Sequence, residues 1–356
     1  MKALVFDQYG KAGDVLQLKD IPEPEPKDGE VKVKMLYSPV NPSDIFNTIE
    51  GTYKDAYSKA IWNFNKAEDE VAADPFGMKQ IPTLPHIPGL EGVGLVTKAG
   101  KGLRGKFLVG KRVIVIGADK GNWQTYNVVD AKQAIPISSK LSDEEAATFF
   151  VNPVTAYILV KKMLKCKKDS FMLQSAANSE VGKMVIKMGK HYGFKTINLI
   201  RNAEQEHHLK SIGAHHVINI TTESVKQRVF EITNGRGVEY AIDPIGGQLG
   251  SEMIQCLGLN GHMIVYGTLS NQPLQFASRD LMTPIARLEG FFLANWMANQ
   301  NLLQKLAIIK QVEKLIVKGI LRSEIGNIYT LENYREALKE VANAGNKGKV
   351  LLKIGD

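Results

Sequence analysis

The residues best placed to do chemistry lie in "FMLQSAANSEVGKMVIKMGKHYG", residues 171 to 193. An apolar run, a tight turn of small residues and an amphipathic stretch read as strand, turn and helix. Such a turn aims the first backbone amides of its helix at an anion, and the helix dipole favours negative charge there. In a dinucleotide turn one glycine makes the bend, a second lets the backbone approach the pyrophosphate, and a third lets helix and strand pack closely. Only the last is kept here, as Gly182, while Ala176 and Ser179 stand in for the other two. Glu180 is the awkward member, a carboxylate close to where phosphate charge would lie. The next strand-like run, "TINLIRNAEQ", ends with Arg201. An acidic residue there bonds the ribose hydroxyls of NAD, whereas an arginine accommodates the 2′-phosphate of NADP. Turn and arginine together predict NADPH. The bland alternative stays open at this point: strand–turn–helix units occur in folds that bind no nucleotide, and an arginine at a strand end can simply be solvated.

Those residues need a scaffold, and the chain from residue 141 onward supplies one. "SDEEAATFFVNPVTAYILVKKML" opens with Ser142 and acidic residues suited to a helix start. Strands then alternate with helices: "SFMLQSA", "KTINLIR", "HHVINI", "VEYAIDPIG" and "GHMIVYG" each follow or precede a helical stretch. That pitch predicts a doubly wound parallel sheet. Residues 1 to about 125 are instead rich in short strands punctuated by Gly, Pro, Asp and Lys, which suggests a barrel-like β domain. The tail "EIGNIYTLENYREALKEVANAGNKGKVLLKIGD" has no linker of its own and is expected to return to the first domain. The α/β chain is therefore divided into residues 1–140 with 300–356, for the substrate, and residues 141–299, for the cofactor.

Composition narrows the function classes. Net charge is +8, with the densest basic run from Lys161 to Ser170. It either steers a phosphorylated ligand or acidic carrier protein or, more simply, complements a helix C-terminus. Basic residues are not interleaved with aromatic ones, so no nucleic-acid partner is expected. Cys166 and Cys256 are the only cysteines, which excludes a disulfide framework and a four-cysteine zinc site. The pairs His207–His208 and His215–His216 read as surface residues, because adjacent positions on a helix do not face one site. No apolar run approaches the roughly 20 residues that span a bilayer, so no membrane partner is expected. The start "MKALVFDQYG" lacks the regions of a secretory signal, which points to a cytoplasmic protein.

Seven segments in order, "VNPSDIFNTIEGTY", "IPGLEGVGLV", "VNPVTAYILV", "QSAANSEVG", "INLIRN", "YGTLSNQP" and "LEGFFLANW", resemble the medium-chain dehydrogenase/reductase superfamily over nearly the whole chain. Within it they are most similar to the zinc-free 2-enoyl thioester reductases, with quinone oxidoreductases next. The resemblance implies a GroES-like β-rich catalytic domain and a Rossmann-type domain. Zinc-dependent relatives place a cysteine at Asn41 and a G-H-E motif at Gly89, Leu90 and Glu91; without thiolate and imidazole no metal is expected.

The resemblance also implies roles. Tyr53 matches the family's proton donor; a phenol with an ordinary pKa near 10 stays protonated at neutral pH and can act as general acid. Asn152 matches a residue near the nicotinamide, and Asn178, Ser179 and Val181 match the phosphate loop, beside Glu180 and Gly182. Arg201 matches the first residue of an R-D-R motif whose other places hold Asn202 and Ala203 here, a lost basic contact. Tyr266, Gly267, Phe291, Phe292 and Leu293 match segments along the nicotinamide half, and Lys349 a C-terminal basic contact. Residues 55 to 82, around Trp62, Phe64 and Phe76, replace a short loop of the family and put long-chain substrates in doubt. Trp123 and Trp296 could line an acyl pocket or belong to the core. The expected activity is NADPH-dependent reduction of an enoyl-CoA or enoyl-carrier thioester. Quinone or alkenal reduction is the alternative within enzymes, and a non-catalytic nucleotide-binding protein with a basic interaction surface the alternative outside them. An acyl carrier protein and a second copy of the chain, as a homodimer, are the partners the resemblance implies.

Overall fold

The strand Phe171–Gln174 is buried at every position, as a strand covered on both faces must be. The computed structural model describes residues 1–51, 83–117, 120–342 and 348–355. Its strands, in chain order, are β1 (Lys2–Val5), β2 (Gln17–Asp20), β3 (Glu30–Pro39), β4 (Glu91–Ala99), β5 (Arg112–Ile116), β6 (Tyr126–Asp130), β7 (Ala134–Pro136), β8 (Phe171–Gln174), β9 (Lys195–Ile200), β10 (His216–Asn219), β11 (Val238–Asp243), β12 (Leu257–Val265), β13 (Arg287–Gly290), β14 (Ile325–Thr330) and β15 (Lys349–Lys353).

Two compact units result, Met1–Val151 with Ser323–Asp356, and Asn152–Arg322. In the second, all neighbouring strands are parallel and run β10-β9-β8-β11-β12-β13. The chain winds outward one way from β8, then returns to β11 on its other side and winds the opposite way. Such a switch of direction opens a crevice at the carboxyl ends of the central strands. This is the doubly wound sheet the alternation predicts. Its core is aliphatic, with Leu173, Ile197, Ile218, Ala241 and Met263 buried together. Polar side chains tie the strands at the same time: the Gln174 amide donates to Asn198 Oδ1 (2.7 Å) and to the Gly182 carbonyl (3.1 Å). The sheet is thereby bonded directly to the helix Glu180–Tyr192, which ends at Gly193 in the left-handed region (φ 82°) that glycine tolerates.

The first unit carries the GroES-like β domain, a seven-stranded sheet ordered β14-β15-β3-β4-β5-β7 with β6 also on β3. The C-terminal tail enters it through β15, antiparallel to β3 with Leu351 opposite Pro39. Trp123 is fully buried in this unit, its indole N–H donating to the Pro39 carbonyl (3.2 Å), so it is a core residue.

The division falls later than residues 140 and 299, and packing shows why. A capping box of Ser142 and Glu145 starts the helix Asp143–Ala147, as its sequence predicts. That helix, however, packs on β3 and β4, and Arg112 at the start of β5 bonds Asp143 (2.6 Å) and the carbonyls of Ser138 and Leu141. The helix Leu302–Val317 clusters with the parallel sheet, and just beyond it the Arg322 carbonyl accepts from Lys187 on the helix Glu180–Tyr192 (3.5 Å).

Candidate active site

In the parallel-sheet unit the cofactor turn is built by backbone constraints. Ala176 adopts φ 48°, the left-handed bend that glycine makes more easily. Ala177 is fully buried. Ser179 then caps the helix, its hydroxyl accepting from the Gly182 amide (3.1 Å). First-turn amides have no intrahelical acceptor, so this end is suited to an anion. Gly182 cannot be replaced cheaply: a Cβ there would lie 2.4 Å from the Ala177 carbonyl oxygen. Gly182 thus allows the close approach, Ala176 makes the bend in left-handed backbone, and Ser179 caps the helix. Glu180 does not close the turn with a bare charge. Its carboxylate pairs with the ammonium of Lys183 one turn along (2.5 Å), and both side chains are nearly buried.

The remaining candidates on this unit follow the carboxyl ends of its strands, on both flanks of the sheet. Arg201 is exposed directly after β9, Tyr266 and Gly267 follow β12, and Phe291, Phe292 and Leu293 follow β13. Gly267 makes a close approach, since a Cβ would stand 2.6 Å from the Pro244 carbonyl oxygen. Burial, with the Asp243 carboxylate nearby, pushes the Tyr266 phenol up, so it stays neutral. Asn202, beside Arg201, accepts from the Glu204 amide (3.0 Å) and so serves the following helix. Asn152 is half-buried in the first turn of the helix Val151–Tyr157, and Trp296 is half-buried in the helix Leu293–Ala298. His207, His208 and His215 are exposed and His216 is partly so.

Sequence reasoning missed Asp243. It is fully buried at the carboxyl end of β11 and accepts from the amides of Ile245 and Gly246 (both 2.9 Å) and from the Ser175 hydroxyl. One carboxylate therefore ties the start of the cofactor turn to the loop after the neighbouring strand. The signal was present in "AIDPIGG": an Asp-Pro after an apolar run, followed by glycines, is turn chemistry.

In the β unit, Asn41, Asp44, Glu91 and Lys349 form a buried cluster. Asp44 starts the helical turn Asp44–Ile49, which runs toward Gly51. Its carboxylate accepts from the amides of Asn41 (2.9 Å) and Leu90 (2.8 Å). Glu91 accepts from the amides of Phe150 (2.7 Å) and Val151 (3.0 Å) and from the Asn41 side chain (3.3 Å). Lys349 donates to Asn41 Oδ1 (2.5 Å). Burial raises the Asp44 carboxyl to about 6 and Glu91 to about 7, against amide donors and the Lys349 charge, which pull them down. Lys349, expected as a cofactor contact, is thus brought to Asn41. Tyr53 and the segment 55–82 lie outside the described residues.

Comparison with known proteins settles the family. The alcohol dehydrogenase GroES-like domain family matches residues 27–139 and the zinc-binding dehydrogenase family residues 181–308. A protein named mitochondrial enoyl-[acyl-carrier-protein] reductase in Schizosaccharomyces pombe is 30% identical over 90% of this chain and 84% of its own length. The Caenorhabditis elegans protein of that name is 32% identical over 89% and 86%. This chain belongs to the medium-chain dehydrogenase/reductase superfamily and is enoyl reductase-like. It is accordingly an oxidoreductase. Among solved structures, a Bacillus thuringiensis protein provisionally assigned as an NADPH:quinone reductase superposes with TM-score 0.86 at 30% identity, covering 99% of this chain and 98% of that one.

A medium-chain dehydrogenase/reductase matched by a zinc-binding family raises the question of a metal. The residues do not fit one: Asn41 turns its carbonyl oxygen to an ammonium, Leu90 has no donor side chain, and a divalent ion would sit beside the Lys349 charge. Among the described residues no group of three or more His, Cys, Asp or Glu side chains could hold a metal ion.

Proposed function

We propose that this enzyme reduces the carbon–carbon double bond of a trans-2-enoyl thioester, carried on coenzyme A or on an acyl carrier protein, with NADPH. The observation that carries the reading is the cofactor turn, where Ser179 caps the helix start and Glu180 is answered by Lys183. NADPH, when bound, supplies the hydride that reaches the β-carbon. The amides around Asn178, Ser179 and Val181 hold the pyrophosphate, and Arg201 favours the 2′-phosphate. With Asn202 and Ala203 in the neighbouring places, a preference of NADPH over NADH rests on that one guanidinium. Tyr53 delivers the proton to the α-carbon. The names of the Schizosaccharomyces pombe and Caenorhabditis elegans relatives support an enoyl thioester as the substrate.

The test is crotonyl-CoA reduction followed at saturating NADPH. Wild type should turn over, NADH should serve less well, and Tyr53→Phe should lose about 100-fold or more in kcat. Equal rates for Tyr53→Phe remove it as proton donor. A second reading, quinone reduction, is favoured by the Bacillus thuringiensis structure; it predicts quinone turnover that survives Tyr53→Phe.

The proposal extends to a homodimer and to the cytosol. Among the described residues no helix is long and apolar enough to cross a membrane, and the curated relatives above are named mitochondrial. Sedimentation and cell fractionation decide both points.

A further inference from the structure

The turn between β4 and β5 carries side chains that neither the cofactor turn nor the buried cluster uses. Its helix, Leu103–Leu108, is anchored by Leu108, which is buried, and by Gly105, where a Cβ would already lie 3.2 Å from Ala99 Cβ. The outward side is apolar: Leu103 is 89% exposed, Phe107 65% and Val109 46%. Leu103 and Phe107 are four residues apart and so share one helical face. Large apolar side chains grouped this way on a rigid support mark a contact surface.

Charge tells which surface. Lys101, Arg104 and Lys106 are exposed around the apolar tip, and the Lys111 ammonium stands 3.4 Å from the centre of the Phe107 ring. From Gly92 to Ala118 the chain contains no Asp or Glu. Glu25 answers Lys98 (2.6 Å) and Asp28 lies 3.9 Å from Lys101, while among the described residues Arg104, Lys106 and Lys111 enter no ion pair. An apolar tip flanked by Lys106, Lys111 and Arg104, whose Nε donates to the Ala131 carbonyl (2.7 Å), complements an acidic headgroup layer over hydrocarbon.

We propose that this turn docks the protein on an anionic lipid surface, with Leu103, Phe107 and Val109 entering the boundary between headgroups and acyl chains. The contact is peripheral. It revises the expectation of no membrane partner, which concerned spanning segments alone.

The experiment is co-sedimentation of the full chain with vesicles of phosphatidylcholine containing about 30% phosphatidylserine, and with phosphatidylcholine alone, since acidic lipid supplies the attraction. Wild type should partition about tenfold more strongly to the acidic vesicles, and both Leu103→Ser with Phe107→Ser and Lys106→Glu with Lys111→Glu should cut that binding by about tenfold. Melting temperature and NADPH binding should be those of wild type; Leu103→Gln alone, at the most exposed position, serves where a double variant fails to fold. The proposal is overturned by a wild type that stays in the supernatant, or by either double variant binding as wild type does. Self-association that the same substitutions abolish, without vesicle binding, assigns the face to a second copy and also overturns it.

Discussion

The two units keep charge out of water in contrasting ways. In the parallel-sheet unit, Glu180 and Lys183 sit one turn apart on a single helix, so the pair forms whenever the helix does. In the β unit, Glu91 and Asp44 depend on amides from residues 41, 90, 150 and 151 and on Lys349, which is 308 residues from Asn41. A local pair adjusts one turn of helix, whereas the distributed cluster holds the N-terminal strands, the helix start at Val151 and the C-terminal strand together. The cluster is consequently the more fragile of the two, and its carboxyls titrate near neutrality while the turn is ruled by backbone shape.

The comparison breaks most visibly at Lys349. Lys349→Met should leave two buried carboxylates without their cation, a loss of about 4 kcal/mol at pH 8. At pH 5 both carboxyls bind protons, so the loss should shrink; melting curves at the two pH values check this. Next in size is Gly182→Ala. The methyl must displace the backbone of Ala177, with an expected cost of about 3 kcal/mol and a large loss of NADPH affinity. Fluorescence titration with NADPH reads the second effect, and unchanged affinity would show that the turn does not hold the phosphates.

The same contrast explains what could be read from the sequence. The helix Glu180–Tyr192 was legible because Ser179, the apolar spacing and Gly193 are local signals of start, face and stop. The position of Arg201 after β9 follows from strand length alone. The cluster was not legible: Asn41 and Glu91 could be recognised as places lacking zinc ligands, but nothing in a single sequence pairs them with Lys349. The compact units divide later than the expected boundaries, at Val151 and Arg322, for a related reason. Ser142 and Glu145 announce a helix, yet they do not say which sheet it will cover, and it covers β3 and β4.

Titration sharpens the comparison further. Asp44 and Glu91 have folded pKa values of about 6 and about 7, raised by burial from ordinary values of 3.8 and 4.5. A carboxyl raised in this sense binds its proton more tightly in the folded state. Its contribution to stability is complete below the unfolded value and is lost as pH rises through the folded one. Between pH 5 and 8 the melting temperature of the β unit should therefore fall as pH rises. Glu91→Gln should flatten that slope by on the order of 2 kcal/mol.

The smallest effect concerns the cap. Ser179→Ala removes the acceptor of the Gly182 amide and should cost about 1 kcal/mol. Two outcomes distinguish what the serine does. A cap that only stabilises the helix lowers the melting temperature equally with and without NADPH. If the cap also fixes the direction of the first-turn amides, the variant loses part of the thermal shift that NADPH gives the wild type, because an amide that swings away from the phosphate binds it less well. The second outcome is expected, since Ala176 already holds an unfavourable φ of 48° to aim this turn. Strain kept at one end of a four-residue turn has a use only if the other end is held as well.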